Sequence, residues 1–337
     1  MTPRVSVLMP VYDAASTLPA ALESVLSQRG VELELIAVND GSTDGGGELL
    51  EHFARRDRRL RVIHRGHDGL VAALNAGLAE CRGRYVARMD ADDLMLPRRP
   101  ALQAAYLDEH PETAGVGCRA RVEPRQAMTT GARRYLDWNN SLVQADEIRR
   151  GAFIESPLIH PTLTLRRRVL TAVGGWRDFD GPEDYDLWLR LLFDEGLALA
   201  KLPLVLHIWR DGPRRLTRTD PRYRAAGFRA LKARYLARLI RERNRGYVVW
   251  GCGPVGKALI RALRGEGLPP PRAIVEVHPG RIGEVIQDAP VIAVGSAKPY
   301  REALQLGAVG QTGARKRIRE ALAGLGLVEG RDCWMTA

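Results

Sequence analysis

The amino-acid sequence predicts an α/β fold, in which a mainly parallel sheet is flanked by helices and a second, smaller α/β domain follows. Within the first 120 residues, short apolar runs alternate with segments whose apolar residues recur at helical spacing. Near residue 247, after a strongly basic stretch, another strand–turn–helix pattern begins. Strands that alternate with helices form a mainly parallel sheet covered on both faces. With 45% apolar and 27% charged residues, the composition is that of a soluble globular protein and excludes chain-wide disorder.

The predicted elements follow from these two periods in chain order. Apolar runs predict four strands, over residues 5–12, 33–39, 60–64 and 85–89. Helical spacing predicts the helices between them: one capped by Ser16, one over 44–56 and one over 70–81. Further along, the pattern predicts a loop over 131–140, a helix over 185–194 and an amphipathic helix over 222–241.

Charge and composition divide the chain into three predicted parts: a first domain over residues 1–215, a basic helical connector over 216–245 and a small α/β domain over 246–337. The formal net charge is +11, of which +10 falls within residues 214–245. A local basic belt indicates contact with an anionic membrane surface, a nucleic acid or an acidic partner. A nucleic acid is not expected, because the belt carries neither an array of stacking aromatics nor a known motif.

The sequence also predicts the compartment. No apolar run approaches the ~18 residues that span a bilayer, and the first residues lack the regions of a signal peptide. The four cysteines are scattered without C-x-x-C spacing, which favours neither a zinc site nor a disulfide framework. A cytoplasmic protein is expected, with any membrane contact peripheral and at the inner face.

Acidic residues cluster directly after the fourth predicted strand, at Asp90, Asp92 and Asp93. Carboxylates at positions i and i+2 beyond a buried strand can both reach a divalent cation. Hard oxygen ligands suit Mg²⁺ or Mn²⁺, which would also bind a diphosphate. The alternative is a polar turn with an N-cap, although three acids directly beyond an apolar strand weaken that interpretation.

Two further acidic motifs, at Asp40 and at Glu183–Asp184, have alternative interpretations. Asp40, after the second predicted strand, can accept a base N–H or a ribose hydroxyl, or it can belong to a capping turn. Glu183 and Asp184 open a predicted helix, where acids commonly act as caps and dipole partners. In the functional interpretation, one of these two carboxylates is the general base for a hydroxyl nucleophile.

Taken in order, residues 5–12, 38–44 and 88–93 and the pair Glu183–Asp184 resemble the motifs of family 2 glycosyltransferases of the GT-A fold. The resemblance covers roughly residues 3–210 and rests on the ordered set of motifs. It implies an inverting enzyme that uses Mn²⁺ or Mg²⁺ and a nucleotide-diphospho-sugar donor, with a UDP-sugar expected. The acceptor it implies is a hydroxyl of a growing surface glycan or of its lipid-linked precursor.

The resemblance also implies a role for each matching residue. The roles are nucleoside binding for Pro10, Tyr12 and Asp40, donor binding for Arg88 and Asp90, metal ligation for Asp92 with Asp90, and base catalysis for Asp184 with support from Glu183. One carboxylate base and no enzyme nucleophile give a single displacement with inversion, by analogy with inverting hydrolases.

The chain departs from the family pattern in places. Leu74 stands where many members have an arginine, for which Arg88 or Arg65 could compensate. Many members carry a metal-reaching histidine near residues 207–218. Here His207 lies early and Gly212 occupies the usual position, so the third metal ligand stays open. His160 matches a family position near the acceptor, and a structural histidine is an equal alternative.

A second glycine motif, G-x-G-x-x-G at Gly251, Gly253 and Gly256, lies between a predicted strand and a predicted helix. Glu276 ends the next predicted strand, where a dinucleotide site has its ribose-binding acid. The region resembles small Rossmann-like modules fused to sugar-modifying enzymes. Two interpretations stay open: a module that binds a dinucleotide, and a structural remnant whose glycines only permit tight packing. An NAD-dependent oxidoreductase or sensor centred on this domain is therefore the alternative function, although the domain shows no catalytic partner.

Overall fold

The computed structural model describes residues 2–124, 128–210, 212, 215–311 and 313–337. The chain divides into two compact units. The first runs to Ile148 and resumes over Leu158–Thr219, and the second combines Arg149–Pro157 with Asp220–Ala337. Most of the stretch predicted as a connector, 216–245, thus lies in the second unit, together with a short segment of the predicted first domain. Arg214, at the start of the basic belt, lies outside the described residues.

Among the described residues, the first unit has eight strands. They are β1 (Val5–Val11), β2 (Leu33–Asp40), β3 (Leu60–Arg65), β4 (Tyr85–Arg88), β5 (Leu94–Met95), β6 (Thr113–Glu123), β7 (Thr164–Arg166) and β8 (Ala198–Arg210). They form one sheet in the order β3-β2-β1-β4-β7-β6-β8-β5. The first four are mutually parallel, whereas β7 and β5 run antiparallel to their neighbours. The predicted mainly parallel α/β sheet is confirmed for the N-terminal half, and the other half is mixed.

The helices of the first unit connect and cover these strands. They are α1 (Leu18–Leu26), α2 (Gly46–Arg56), α3 (Leu70–Glu80), α4 (Arg99–Glu109), α5 (Thr130–Ser141), α6 (Ala145–Gly151), α7 (Arg167–Ala172), α8 (Glu183–Leu189) and α9 (Leu216–Thr219). Helix α6 begins in the first unit and ends in the second. All of β2 is buried, and so is β1 apart from the half-buried Pro10. Continuous burial of this kind is what a central strand needs when helices cover both faces of the sheet.

Two local predictions are wrong. Residues 131–140, predicted as a loop, form helix α5, which begins where the Thr129 hydroxyl accepts a hydrogen bond from the Ala132 amide. Ser16 is not the cap of α1, because Thr17 stands at that position and makes no side-chain capping bond. In both places the local sequence is rich in polar residues and does not by itself determine whether or where a helix begins. The rest of the fold determines it.

The second unit contains a separate sheet. Its strands in the described ranges are β9 (Tyr247–Trp250), β10 (Ala273–Glu276), β11 (Val285–Ile286), β12 (Ala289–Ala293), β13 (Leu304–Gly307) and β14 (Cys333–Met335). Their order is β11-β12-β10-β9-β13-β14, and every pairing is parallel except that of the short β11. Without β11, this is the 3-2-1-4-5 order typical of dinucleotide-binding sheets. The predicted second α/β domain is therefore present.

The helices of the second unit are α10 (Ala225–Arg243), α11 (Pro254–Gly265) and α12 (Ala314–Gly324). Helix α10 is the predicted amphipathic helix, and it packs against α11. Its predicted apolar stripe consists of Phe228, Leu231, Tyr235, Leu239 and Ile240. Of these, Leu231, Tyr235 and Ile240 are buried, whereas Phe228 and Leu239 are half-buried, and Leu236 is the fourth buried large side chain. Within the described part of the chain, no helix is long and apolar enough to cross a membrane.

Candidate active site

The predicted site residues of the first unit lie where neighbouring strands end. Tyr12 follows β1, Asp40 is the last residue of β2, and Asp90 follows soon after β4. Because parallel strands present their carboxyl ends at one edge of the sheet, these residues share that edge. Proline has no backbone N–H to donate to a neighbouring strand. Pro10 pairs with Val38 of β2 and lies beyond the last residue of β1 that pairs with β4, so the sheet loses no hydrogen bond there.

Asp40 is buried and holds the turn that leads into α3. Its carboxylate oxygens accept hydrogen bonds from the backbone amides of Asp68 (3.0 Å) and Gly69 (2.9 Å). The turn passes close to Gly41, whose φ is +75° and where a Cβ would lie 2.9 Å from the His67 nitrogen. The carboxylate therefore fixes the rim of the site, and a nucleoside would have to use the remaining lone pairs.

Tyr12 forms an aromatic pair that sequence reasoning missed. Its ring stacks on His67 with the centroids 4.0 Å apart and the planes 20° from parallel. Tyr12 is 48% exposed, so the pair offers a flat surface to solvent. His67 follows β3 at the same edge of the sheet, which is the signal that could have identified it.

The three acids after β4 converge. Asp90, Asp92 and Asp93 each place one carboxylate oxygen within 4.8 Å of the others. Burial, together with the charges of Asp90 and Asp93, raises the pKa of Asp92 to about 7. A divalent cation would remove this repulsion, and the donor set of hard carboxylate oxygens is the kind that Mg²⁺ and Mn²⁺ prefer. The residues therefore fit a divalent metal.

Asp93 anchors the cluster from inside the protein. Its oxygens accept hydrogen bonds from the His207 ring (2.9 Å), the Arg210 amide (2.9 Å) and the Arg215 guanidinium (3.0 Å). Burial alone would raise the pKa of Asp93, but the Arg215 charge and the His207 hydrogen bond outweigh it and hold the pKa at about 2. Asp90 and Asp92 are consequently the acids best placed to hold a cation.

His207 has both ring nitrogens engaged. The Arg99 guanidinium lies 3.0 Å from Nδ1, and because arginine can only donate, the ring proton sits on Nε2 and is directed at Asp93. Burial lowers the pKa of His207, which keeps the ring neutral. His207 thus positions Asp93. Gly212 has no side chain to offer, and its neighbours Asp211, Pro213 and Arg214 lie outside the described residues.

Glu183 and Asp184 form the first turn of α8. Glu183 is buried, whereas Asp184 is half-buried and receives a hydrogen bond from the Tyr185 amide (2.6 Å). Burial and the neighbouring charge of Glu183 raise the pKa of Asp184 to about 8, and the positive charge of Arg88 opposes them. A carboxylate with a raised pKa binds a proton more tightly, as a general base requires.

His160 supports this pair from behind. The Trp176 indole donates to His160 Nε2 (3.0 Å), so the ring proton lies on Nδ1, which is 3.6 Å from a Glu183 oxygen. The histidine is buried, and burial lowers its pKa. These contacts make His160 a positioning residue for Glu183.

Arg88 links the two groups of acids. Its guanidinium donates to Asp90 at 2.6 Å, and its charge also acts on Asp184. Arg88 is buried, and within the described part of the chain its Nε has no hydrogen-bond partner. An unpaired, buried N–H in a site is costly unless a ligand satisfies it.

The second unit brings its four predicted residues together at the end of β9. Gly256 must be glycine, because a Cβ there would lie 2.0 Å from the Gly251 oxygen, whereas a Cβ on Gly253 would meet nothing within 4 Å. Glu276 is folded onto the turn, where it accepts hydrogen bonds from the amides of Cys252 and Val277. Burial would raise the pKa of Glu276, but the bonds from the Cys252 thiol and the backbone hold it at about 2. A ribose would have to displace these bonds.

Comparison with known proteins identifies the first unit. The family model described as "Glycosyl transferase family 2" matches residues 6–174. The putative glycosyltransferase EpsE of Bacillus subtilis is 34% identical over 214 residues, which are 62% of this chain and 73% of EpsE. The uncharacterized glycosyltransferase EpsJ of the same organism is 41% identical over 93 residues, but these are 28% of this chain and only 27% of EpsJ.

Solved structures share the fold at low identity. The TarS fragment 1–349 of S. aureus, in complex with UDP-GlcNAc, superposes with a TM-score of 0.55 at 16% identity, covering 77% of this chain and 71% of that one. The mannosyltransferase PcManGT of Pyrobaculum calidifontis, in complex with GDP-Man and Mn²⁺, gives a TM-score of 0.51 at 20% identity, covering 78% and 69%. The chain is a glycosyltransferase and belongs to glycosyl transferase family 2.

Proposed function

We propose that the first unit transfers a sugar, with inversion, from a nucleotide-diphospho-sugar to a hydroxyl acceptor, with the help of a divalent cation. The observation that carries the proposal is the pairing of a metal-competent acid cluster with a second carboxylate of raised pKa. Arg88 donates a hydrogen bond to Asp90 of the cluster, and its charge also acts on Asp184. Two structural neighbours were solved with nucleotide-sugars, one of them also with Mn²⁺. A UDP-sugar is the donor we expect first.

Each group would have one task in the reaction. The Tyr12–His67 surface and Asp40 would receive the nucleoside at the edge of the sheet. Asp90 and Asp92 would hold the cation, which when bound would neutralise charge on the leaving diphosphate. Asp184 would take the proton of the acceptor hydroxyl as it attacks the anomeric carbon. Because Glu183 is buried against His160, we assign the role of base to Asp184. One carboxylate base and no enzyme nucleophile would make the reaction a single displacement.

A ligand screen tests this function directly. UDP- and GDP-sugars, each with and without Mn²⁺ or Mg²⁺, and NAD alone are added to the protein, and the melting temperature is measured. Ligand binding raises stability by mass action, by about 2.7 kcal/mol at a hundredfold excess over Kd. We expect stabilisation by a nucleotide-sugar only with metal. Stabilisation by NAD without any response to nucleotide-sugars would favour an oxidoreductase or sensor.

The second unit is proposed as a nucleotide-binding module. Its support is the glycine turn at the end of β9, beside β13, where the strand order reverses. The open space at Gly253 would admit a diphosphate. The NAD arm of the same screen examines this proposal.

The pH dependence of transfer should report Asp184. Because the base must be ionised, we expect kcat/KM to rise with pH through a midpoint near the pKa of about 8. Glu183→Gln removes the neighbouring negative charge and should move the midpoint to lower pH. Rate profiles of both proteins between about pH 6 and pH 9 check this. A flat profile for the wild-type protein would contradict it.

Peripheral contact with an anionic membrane, at the cytoplasmic face, is proposed for the basic stretch 214–245. Helix α10 buries Leu231, Leu236 and Ile240 and keeps Arg234 exposed, so the contact would be electrostatic and not an insertion. A lipid-linked acceptor would make such a contact useful.

Vesicle flotation examines the membrane proposal. Binding to anionic vesicles is expected at low salt, at roughly 1 kcal/mol per near-surface charge, and is expected to vanish at high salt. Arg234→Gln should weaken it. Absence of binding at low salt, or binding that survives high salt, would overturn the electrostatic contact.

A further inference from the structure

We propose that Arg215 is a built-in counter-cation of the acid cluster, which stands where the divalent cation would bind and has to leave when the metal arrives. The inference rests on the proposed function only in placing the metal at Asp90 and Asp92. Beyond that function, Arg215 would compete with the divalent cation for the carboxylates of the acid cluster.

One guanidinium reaches all three acids. Nη1 of Arg215 lies 3.0 Å from an Asp93 oxygen and 3.6 Å from an Asp92 oxygen, and Nη2 lies 3.4 Å from an Asp90 oxygen. The same three carboxylates form the cluster that could hold a metal ion. Arg215 therefore supplies in advance part of the positive charge that the cluster needs.

The guanidinium is held in place by the end of β8. It donates to the Arg210 carbonyl at 2.7 Å and lies 5.0 Å from the centre of the Trp209 ring. The side chain is only 11% exposed. These contacts define a stable resting position over the acids.

Movement of the segment that follows Arg215 would expose no buried side chain of helix α9. Helix α9 is four residues long and contains no buried residue. A small divalent cation such as Mg²⁺ must approach carboxylate oxygens to about 2.0–2.1 Å, and it repels a guanidinium at contact distance. Metal binding should therefore displace Arg215 and carry the start of α9 outward.

Mn²⁺ titration without any donor tests the competition. Free Mn²⁺ is measured by electron paramagnetic resonance for the wild-type protein, Arg215→Gln, Arg215→Lys and the control Arg218→Gln. Arg218 is exposed on α9, so its replacement removes the same charge from the same segment. We expect Arg215→Gln to bind Mn²⁺ about tenfold more tightly or better, Arg215→Lys to stay near wild type and Arg218→Gln to change Kd less than about twofold.

Equal or weaker Mn²⁺ binding by Arg215→Gln would overturn the proposal, and so would the absence of Mn²⁺ binding in every protein. A second measurement uses the wild-type chain alone: amide hydrogen exchange of residues 216–219, which form helix α9, should accelerate when Mn²⁺ is added. Unchanged or slower exchange would also contradict the proposal. Failure of the proposed sugar transfer would appear separately, as a lack of product while the metal competition persists.

Discussion

Replacement of Asp184 by asparagine is expected to lower the turnover of sugar transfer about 10²-fold or more and to leave donor affinity nearly unchanged. Asparagine has the same shape, and its amide oxygen can still accept the Tyr185 hydrogen bond that Asp184 accepts at 2.6 Å. It cannot take up the proton of the acceptor hydroxyl. Steady-state rates with an acceptor, and calorimetry with the donor, separate the two effects.

The matched control for this variant is Asp137→Asn. Asp137 is exposed on α5, so the same chemical change there should leave both turnover and affinity alone. Activity of Asp184→Asn within a few-fold of wild type would refute the assignment of the base, and Glu183 would become the next candidate.

Asp92→Ala is expected to abolish the Mn²⁺-dependent binding of UDP. With the metal site lost, no divalent cation would offset the negative charges of the diphosphate and of Asp90 and Asp93. The single charge of Arg215 neutralises these two acids only in part, so the diphosphate would still be repelled. Asp92 is the better choice for this test than Asp93, because Asp93 holds His207 and Arg210 in place. Calorimetry of UDP with and without Mn²⁺ measures the effect.

Asp137→Ala provides the control for this second variant, since it removes a carboxylate from the exposed face of α5. It should bind UDP as the wild-type protein does. If Asp92→Ala retained the full Mn²⁺-dependent gain in affinity, the metal would have to be held by other residues.

The first four strands of the first unit, β1 to β4, could be predicted to within one residue at either end, because each is a short apolar run bounded by polar turns. The later strands β5 to β8 were not predicted. Helix α5 could not. Its polar sequence resembles a loop, and its stability comes from distant parts of the chain: the Asn140 side chain pairs with the backbone of Ala120, and the Lys201 ammonium bonds to Asn139. Contacts between residues so far apart in the chain leave no local pattern.

In the candidate site, the acids could be predicted from the sequence, but the residues that position them could not. The acids were recognisable because each follows a strand or opens a helix. The separate role of Asp93 was not, because its partners His207 and Arg215 lie more than a hundred residues further along the chain. Arg99 was equally hidden, since an arginine at the start of a helix gives no sign that it will be fully buried against a histidine.

The segment Arg149–Pro157 belongs to the second unit although the residues on both sides of it belong to the first, and this affects how the chain folds during synthesis. Phe153 in this segment packs edge-on against Trp334 at 5.1 Å, and Lys232 donates to the Ile154 carbonyl at 2.6 Å. The polypeptide therefore passes between the units at three points, and no single proteolytic cut can separate them intact. During synthesis, the buried Phe153 side chain lacks this partner until the ribosome has added residue 334. The second unit therefore cannot be completed until residue 334 has been synthesised, whereas the strands of the first unit can pair before then.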